Sequence, residues 1–223
     1  MPHIDFIGSD GLAWPSVTQL TRLLPQDWLW SWYRHSVEKK GYQGWLDNKA
    51  VSEAGMTMGT RVHSELEELI KTNGQAEACN EALSLYGEVN KTVQEYVAIE
   101  PHLICTKHRY AGTADLIVRL EYSTGLWVGD WKTSFTKSDT HPIQLAAYAL
   151  AWNEMYPDTL IDQGFIARVD KKDDDCRVKI DEYQGLKRYF PVVRALREIY
   201  DYTESMGVFT KPPKVKKGKA SEV

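Results

Sequence analysis

Two aspartates and a lysine lie close together in a segment with the pattern of a β-hairpin. Asp115 falls in the first apolar stretch, Asp130 and Lys132 fall in the second, and the turn between them covers residues 122–125. Side chains alternate between faces along a strand, so Asp130 and Lys132 point the same way. In the simplest register, Asp115 reaches the same place from the neighbouring strand. The pattern therefore predicts two carboxylates and an ammonium group on one face of the hairpin.

These groups suit the metal-assisted hydrolysis of a phosphate ester. Paired carboxylates can hold Mg²⁺ or Mn²⁺ while leaving positions for water and a phosphate. The metal lowers the pKa of a bound water and offsets charge at phosphorus. Lys132 could orient or deprotonate that water, or stabilise the pentavalent phosphate. The alternative is an exposed hairpin on which Asp130 merely pairs with Lys132. We favour the site because the sequence around Asp130, WVGDWK, resembles a central strand, where unpaired acids are rare.

A histidine in the helical half of the chain is a candidate third ligand. His63 lies beside an apolar helical face, four residues before Glu67. Such a histidine, taken alone, is more often a packed or capping residue than a ligand. If its helix crosses the hairpin, however, His63 could bind the metal and favour Mn²⁺ over Mg²⁺. Glu67 could then support the histidine as a hydrogen-bond acceptor.

Length and composition indicate one folded unit. The 223 residues are 43% hydrophobic, include 8 Trp and 12 Tyr, and carry a formal charge of −4, which neither indicates nor excludes nucleic acid. The three cysteines have no metal-ligand spacing, which favours a reducing compartment. No signal peptide or membrane-spanning apolar run is apparent. We therefore predict a cytoplasmic protein without a membrane partner.

Apolar spacing and turn residues predict a helical first half and a sheet-containing second half. The predicted helices cover residues 17–24, 26–40, 45–54, a segment after Gly55, 76–99, 142–155 and 183–206. The predicted strands cover residues 101–110, the two arms of the hairpin, 160–169 and 177–181. We predict a single domain over residues 1–210, with a mostly helical part (1–99) and a sheet core with flanking helices (100–210). Residues 211–223 are predicted to be a flexible basic tail.

Four short motifs occur in a recognisable order. They are G-x-x-x-H at residues 59–63, G-T-A-D at 112–115, D-W-K at 130–132 and Q-x-x-x-Y at 144–148. Together, over residues 55–150, they resemble the PD-(D/E)XK nuclease superfamily. The resemblance is specifically to its RecB-like exonuclease branch, which includes phage exonucleases and the mitochondrial genome maintenance exonuclease. It implies an α/β fold: a restriction-endonuclease-like core with a mixed central sheet flanked by helices in α-β-β-β-α-β order, plus an N-terminal helical region.

The resemblance also implies a role for each matching residue. His63, Asp115, Asp130 and the main-chain carbonyl of Trp131 would bind the metal. Lys132 would be the catalytic lysine. Gln144 and Tyr148 would line the site and contact DNA, although an ordinary place on a helix surface and in the core is an alternative for them. Glu100 resembles a glutamate often found before the first strand, and we hold it as a further acidic group.

The implied activity is that of an Mg²⁺- or Mn²⁺-dependent DNA exonuclease acting on ends or single strands. The implied setting is recombination, repair or phage DNA processing in a bacterial or phage-infected cell, with a recombinase or single-strand-binding protein as a further partner. An iron–sulfur cluster, which some members hold on four cysteines, is not expected from three. Two alternatives stay open: a site- or structure-specific endonuclease, and a non-catalytic DNA- or partner-binding module on the same fold.

Overall fold

The structure is a computed structural model that describes residues 6–8, 11–25, 27–134, 136–170 and 176–206, without the side chains of residues 27–30. The predicted basic tail lies outside these ranges. The helices are α1 (Val17–Thr21), α2 (Asp27–Lys40), α3 (Tyr42–Lys71), α4 (Asn80–Asn90), α5 (His141–Met155), a 3-10 turn (Leu186–Tyr189) and α6 (Phe190–Ser205). The strands are β1 (Phe6–Ile7), β2 (Ala13–Trp14), β3 (Val93–Ile99), β4 (His102–Cys105), β5 (Tyr110–Thr113), β6 (Leu116–Leu120), β7 (Leu126–Lys132), β8 (Ile161–Val169) and β9 (Val178–Gln184).

A five-stranded mixed sheet forms the centre of the fold. Its order is β3-β6-β7-β8-β9, with β7 and β8 parallel and the other neighbours antiparallel. The β6–β7 hairpin pairs Leu116 with Gly129 and Val118 with Trp127. Helix α5 connects the two parallel strands, as such a crossover requires. This arrangement confirms the predicted α/β fold with a mixed central sheet flanked by helices.

Each face of the sheet has its own apolar core. Ile117, Val128 and Ile166 belong to the core that also contains buried apolar residues of α1, α5 and α6. Trp127 and Phe165 belong to the core on the other face, with buried apolar residues of α3 and α4. The alternation along each strand explains this division, because successive side chains point to opposite faces. The central strands are therefore covered on both sides.

Several of the predicted elements are wrong, including the start of the helix predicted over residues 183–206, where β9 continues to Gln184 and α6 begins only at Phe190. The segment 76–99 is not one helix: α4 ends at Asn90 and β3 follows, because the β-branched and aromatic residues of VQEYVAI pair with β6. The region 101–110 is not one strand either, since β4 and β5 form a hairpin whose turn holds Arg109 at a φ of 49°. Helix α3 also runs without a break through Gly55.

No helix in the described ranges is both long and apolar enough to span a bilayer.

Gly129 offers a test of packing at the centre of the sheet. A Cβ atom there would lie 2.5 Å from Cζ of Phe165, so we expect Gly129→Ala to lower the free energy of unfolding by about 1–3 kcal/mol. Gly87→Ala is the matched control. A Cβ atom on this α4 glycine would have no neighbour within 4 Å, so the change should stabilise the protein by about 0.5–1 kcal/mol. Urea unfolding measures both, and equal effects would contradict the packing argument.

Candidate metal site

The site lies where the hairpin, helix α3 and the end of β3 meet. Asp115 stands directly before β6, and Asp130 and Lys132 are in the last three residues of β7. Asp115 Oδ2 accepts a 2.7 Å hydrogen bond from the main-chain N–H of Trp131. This bond joins the start of one strand to the end of its partner. The register therefore brings the two predicted acidic residues to the same end of the hairpin.

His63 reaches this end of the hairpin from α3. Its Nδ1 lies 3.3 Å from Asp115 Oδ1, and its Nε2 lies 3.2 Å from the main-chain oxygen of Trp131. Both ring nitrogens can donate to these oxygens only when the imidazole is protonated. The His63 imidazolium thus lies between two of the oxygen atoms that the sequence resemblance assigns to a metal.

The His63 pKa agrees with this arrangement. Burial lowers the pKa of His63, but the charge and hydrogen bond of Asp115 more than offset the effect and raise it to about 9. Burial alone would raise the pKa of Asp115, whereas the charges of His63 and Lys132 and the Trp131 N–H lower it below its usual value. In the metal-free protein the two side chains therefore form an ion pair at neutral pH.

Glu100 completes a three-residue cluster. One ligand atom each from His63, Glu100 and Asp115 lies within 4.8 Å of the other two. Glu100 follows β3 at a φ of 46°, and its N–H donates a 2.9 Å bond to the main-chain oxygen of Asp115. A left-handed backbone costs a residue with a side chain about 1–2 kcal/mol. Burial and the nearby carboxylates of Asp115 and Glu67 raise the Glu100 pKa. This glutamate is therefore held beside another acid despite both costs.

The cluster fits a divalent cation. Two carboxylates and an imidazole are donors that Mn²⁺ accepts, and the oxygen donors also suit Mg²⁺. A cation would offset the repulsion between Glu100 and Asp115, which in its absence is relieved in part by the charge of His63. The cluster could therefore hold a metal ion.

Asp130 has a different set of partners. It is buried, and its Oδ1 accepts a 2.9 Å hydrogen bond from Gln144 Nε2. Its Oδ2 forms an ion pair with Lys132 Nζ. Asp130 is not a member of the three-residue cluster. Its negative charge nevertheless acts on His63, a member of that cluster.

Gln144 and Tyr148 support Asp130 from helix α5. The Gln144 amide donates to Asp130 and, at 3.1 Å, to the Tyr148 hydroxyl. Tyr148 is only 4% exposed, and a Cβ atom on Gly112 would lie 3.0 Å from its ring. The structure thus places Gln144 at the site and the Tyr148 ring in the core. Contact of either residue with DNA stays a prediction.

Opposing effects set the charges of the Asp130–Lys132 pair. Burial raises the pKa of Asp130 to about 6, although the Lys132 charge lowers it in part. Burial lowers the pKa of Lys132, but the charges of Asp130 and Asp115 outweigh this effect and raise it. Lys132 is therefore a cation at neutral pH in the metal-free protein.

The structure gives Glu67 a different partner from the one predicted, and it shows which strands flank Glu100. Glu67 is predicted to support His63, but it pairs with Lys71 at 2.7 Å, and His63 contacts Asp115 instead. Glu100 is predicted to stand before a strand, and it does precede β4, but it also directly follows β3. Only the pairing of β3 with β6 shows that it stands beside Asp115. The prediction of a helix over residues 76–99, where β3 lies, left this pairing unrecognised.

The raised pKa of His63 predicts how stability depends on pH. The folded value of about 9 lies above the ordinary 6.5, so the His63–Asp115 pair contributes fully below pH 6.5 and its contribution is lost as the pH rises through 9. We expect about 2–3 kcal/mol to be lost between pH 6.5 and 9.5 in EDTA. Urea unfolding of wild type and His63→Gln measures the difference. Parallel pH profiles for the two proteins would contradict the assignment.

Comparison with known proteins does not establish a family. No protein-family model and no curated protein matches the chain. Among solved structures, a protein named SSO0001 aligns at a TM-score of 0.42 and 16% identity over 88% of this chain and 77% of that one. A Eubacterium rectale protein named only provisionally as an exonuclease aligns at a TM-score of 0.41 and 14% identity, over 69% and 68% of the two chains.

Proposed function

We propose that the protein is a divalent-metal-dependent nuclease that hydrolyses phosphodiester bonds in DNA. One observation carries the proposal: the cluster of His63, Glu100 and Asp115 lies beside an ion pair between the buried Asp130 and the partly exposed Lys132. The like charges of such a cluster oppose folding, and a metal site is a function that would account for their retention. The four ordered motifs add the resemblance to RecB-like exonucleases.

The proposed metal ligands are His63, Asp115 and Asp130, with the Trp131 main-chain carbonyl, and we add Glu100. The oxygen-rich set favours Mg²⁺ or Mn²⁺. When bound, such an ion supplies a water of lowered pKa and offsets charge at the phosphorus. His63 would have to lose one proton and give up its contacts with the two oxygens before binding through a ring nitrogen, so metal and proton would compete for the same place.

Lys132 has the clearest proposed role among the side chains. Its raised pKa makes it a poor proton acceptor in the metal-free protein. Of the roles considered from sequence, we therefore favour stabilising negative charge on the phosphate over deprotonating water. Its contact with Asp130 fixes the direction of the ammonium group, and the Gln144 bond holds Asp130 from the other side. The three side chains form one positioned unit.

The finer assignment follows the resemblance. We propose exonuclease activity on DNA ends or single strands, in recombination, repair or phage DNA processing, with a recombinase or single-strand-binding protein as partner. The alternatives are a structure- or site-specific endonuclease and a non-catalytic module. Cleavage of covalently closed circular DNA would identify the endonuclease. The protein would be identified as a non-catalytic module if it bound no metal and if Asp130→Ala changed only its stability.

Lys132→Met tests the enzyme proposal. The change keeps the length of the side chain and removes its charge, so we expect the rate of digestion of end-labelled single-stranded DNA with Mn²⁺ to fall by about 10²–10³-fold. Lys91→Met is the matched control, because Lys91 is an exposed lysine paired with Glu88. The proposal would be refuted if wild type and Lys132→Met were equally inert or equally active in this assay.

Glu100→Gln tests the metal cluster without an activity assay. Removing one of its carboxylate charges should weaken Mn²⁺ binding about tenfold or more, measured by calorimetry or by the paramagnetic signal of free Mn²⁺. The metal-free protein should be no less stable, since the change relieves repulsion with Asp115. Glu67→Gln is the control, because Glu67 influences Glu100 by charge but is outside the cluster. Equal affinity in the two variants would exclude Glu100 as a ligand.

A further inference from the structure

A cavity of about 480 Å³ adjoins the site at the end of β7. Lys132 and Gln144, which both contact Asp130, are part of its lining. The rest of the lining comes mainly from the segment between β7 and α5 and from the first residue of α5: Ser134, Thr136, Lys137, Ser138, Thr140 and His141. The volume falls within the range of about 300–1,000 Å³ that is usual for small-molecule sites. The cavity is therefore large enough for one nucleotide unit, and it starts next to the proposed catalytic lysine.

The chemistry of this lining suits a phosphate group. Its hydroxyl and ammonium groups are typical donors to phosphate oxygens in protein–DNA contacts. The one acid in the described lining, Asp139, is exposed. The cavity also lies beyond the C-terminal end of β7, whose neighbour β8 is parallel to it. Ligands of α/β sheets commonly bind at such strand ends.

His141 adds a buried donor to the cavity wall. It is 5% exposed, and its Nδ1 accepts a long, 3.5 Å hydrogen bond from the Ser138 N–H. Burial, together with the nearby charges of Lys132 and Arg168, lowers its pKa to about 4. The ring is therefore neutral at pH 7, and with Nδ1 as acceptor its proton is on Nε2. The mechanism proposed above gives this histidine no role.

Lys137 is held in place at the cavity by the sheet. Its Nζ lies 3.5 Å from Asp181 Oδ1 and 5.3 Å from the centre of the Tyr183 ring, both on β9. Asp181 is also paired with the buried Arg168, at 2.6 Å, so it contacts two cations. These contacts hold the Lys137 side chain in position before any ligand binds, which reduces the entropy cost of binding.

We propose that this cavity binds the backbone phosphate adjacent to the cleaved one, through Lys137 and His141. The inference rests on the proposed function and deepens it. The substrate would be a strand with at least two consecutive phosphates, and Lys132 would stand between the two phosphate positions.

Replacing single phosphates of the substrate by neutral methylphosphonates tests the proposal. On a defined single-stranded oligonucleotide, the replacement at one position next to the cleaved bond should raise the KM of wild type about tenfold or more. Lys137→Met and His141→Asn should each raise the KM of the unmodified strand by a similar factor. At that one position, however, the methylphosphonate should raise the KM of these variants much less than that of wild type, because the variants have already lost the contact with the phosphate.

The controls separate this outcome from misfolding and from failure of the proposed function. Lys91→Met should behave as wild type at every position, and circular dichroism should show folded variants. Additive effects of variant and replacement at all positions would overturn the inference while leaving the nuclease proposal intact.

If wild type cleaves nothing, the nuclease proposal fails. In that case the same combinations of variant and methylphosphonate replacement are compared by the Kd of a fluorescein-labelled strand. Additive effects of variant and replacement on this Kd would again overturn the inference. Competition by inorganic phosphate without any position effect would assign the cavity to a free anion and also overturn it.

Discussion

The carboxylate of Asp115 is the interaction on which the rest of the site depends. One oxygen accepts the Trp131 N–H and so ties the two strands of the hairpin together, while the other faces His63 and so attaches helix α3 to the sheet. The main-chain oxygen of the same residue receives the Glu100 N–H. Three separate parts of the chain thus meet at one residue. Their relative positions are fixed by directional hydrogen bonds in addition to the apolar core that α3 shares with the sheet.

The site concentrates charge that the fold would otherwise avoid. Asp130 is almost completely buried, and its pKa rises because of that burial. Asp115 is also buried, yet its pKa falls because of His63 and Lys132. The pKa values of two carboxylates at the end of one hairpin are therefore shifted in opposite directions by their surroundings, a pattern typical of sites in which acids have different roles. Lys132 and His63 place one cation beside each acid, which offsets part of the cost of burying the two charges together.

The sequence was most informative where local pattern and tertiary structure agree. The turn at residues 122–125 and the alternation around it predicted the β6–β7 hairpin, and with it the convergence of Asp115, Asp130 and Lys132. The error over residues 76–99 arose because apolar residues at positions such as Val93, Tyr96 and Val97 fit a helical face as well as a strand. Only pairing with β6 decides between them. The place of Glu100 and the cavity lined by His141 depend on such long-range contacts, and no local spacing encodes them.

The unbroken length of α3 has a mechanical consequence for the site. The helix has 30 residues, and its buried apolar residues lie towards its C-terminal end, around Leu66. If the helix tilts as a rigid rod about Leu66, Tyr42 lies about 36 Å from the pivot and His63 about 4.5 Å, at 1.5 Å per residue. An excursion of about 4 Å at the outer end therefore moves His63 by about 0.5 Å. Such a displacement at the outer end of the helix would thus reach the imidazole reduced about eightfold, which would keep His63 close to Asp115.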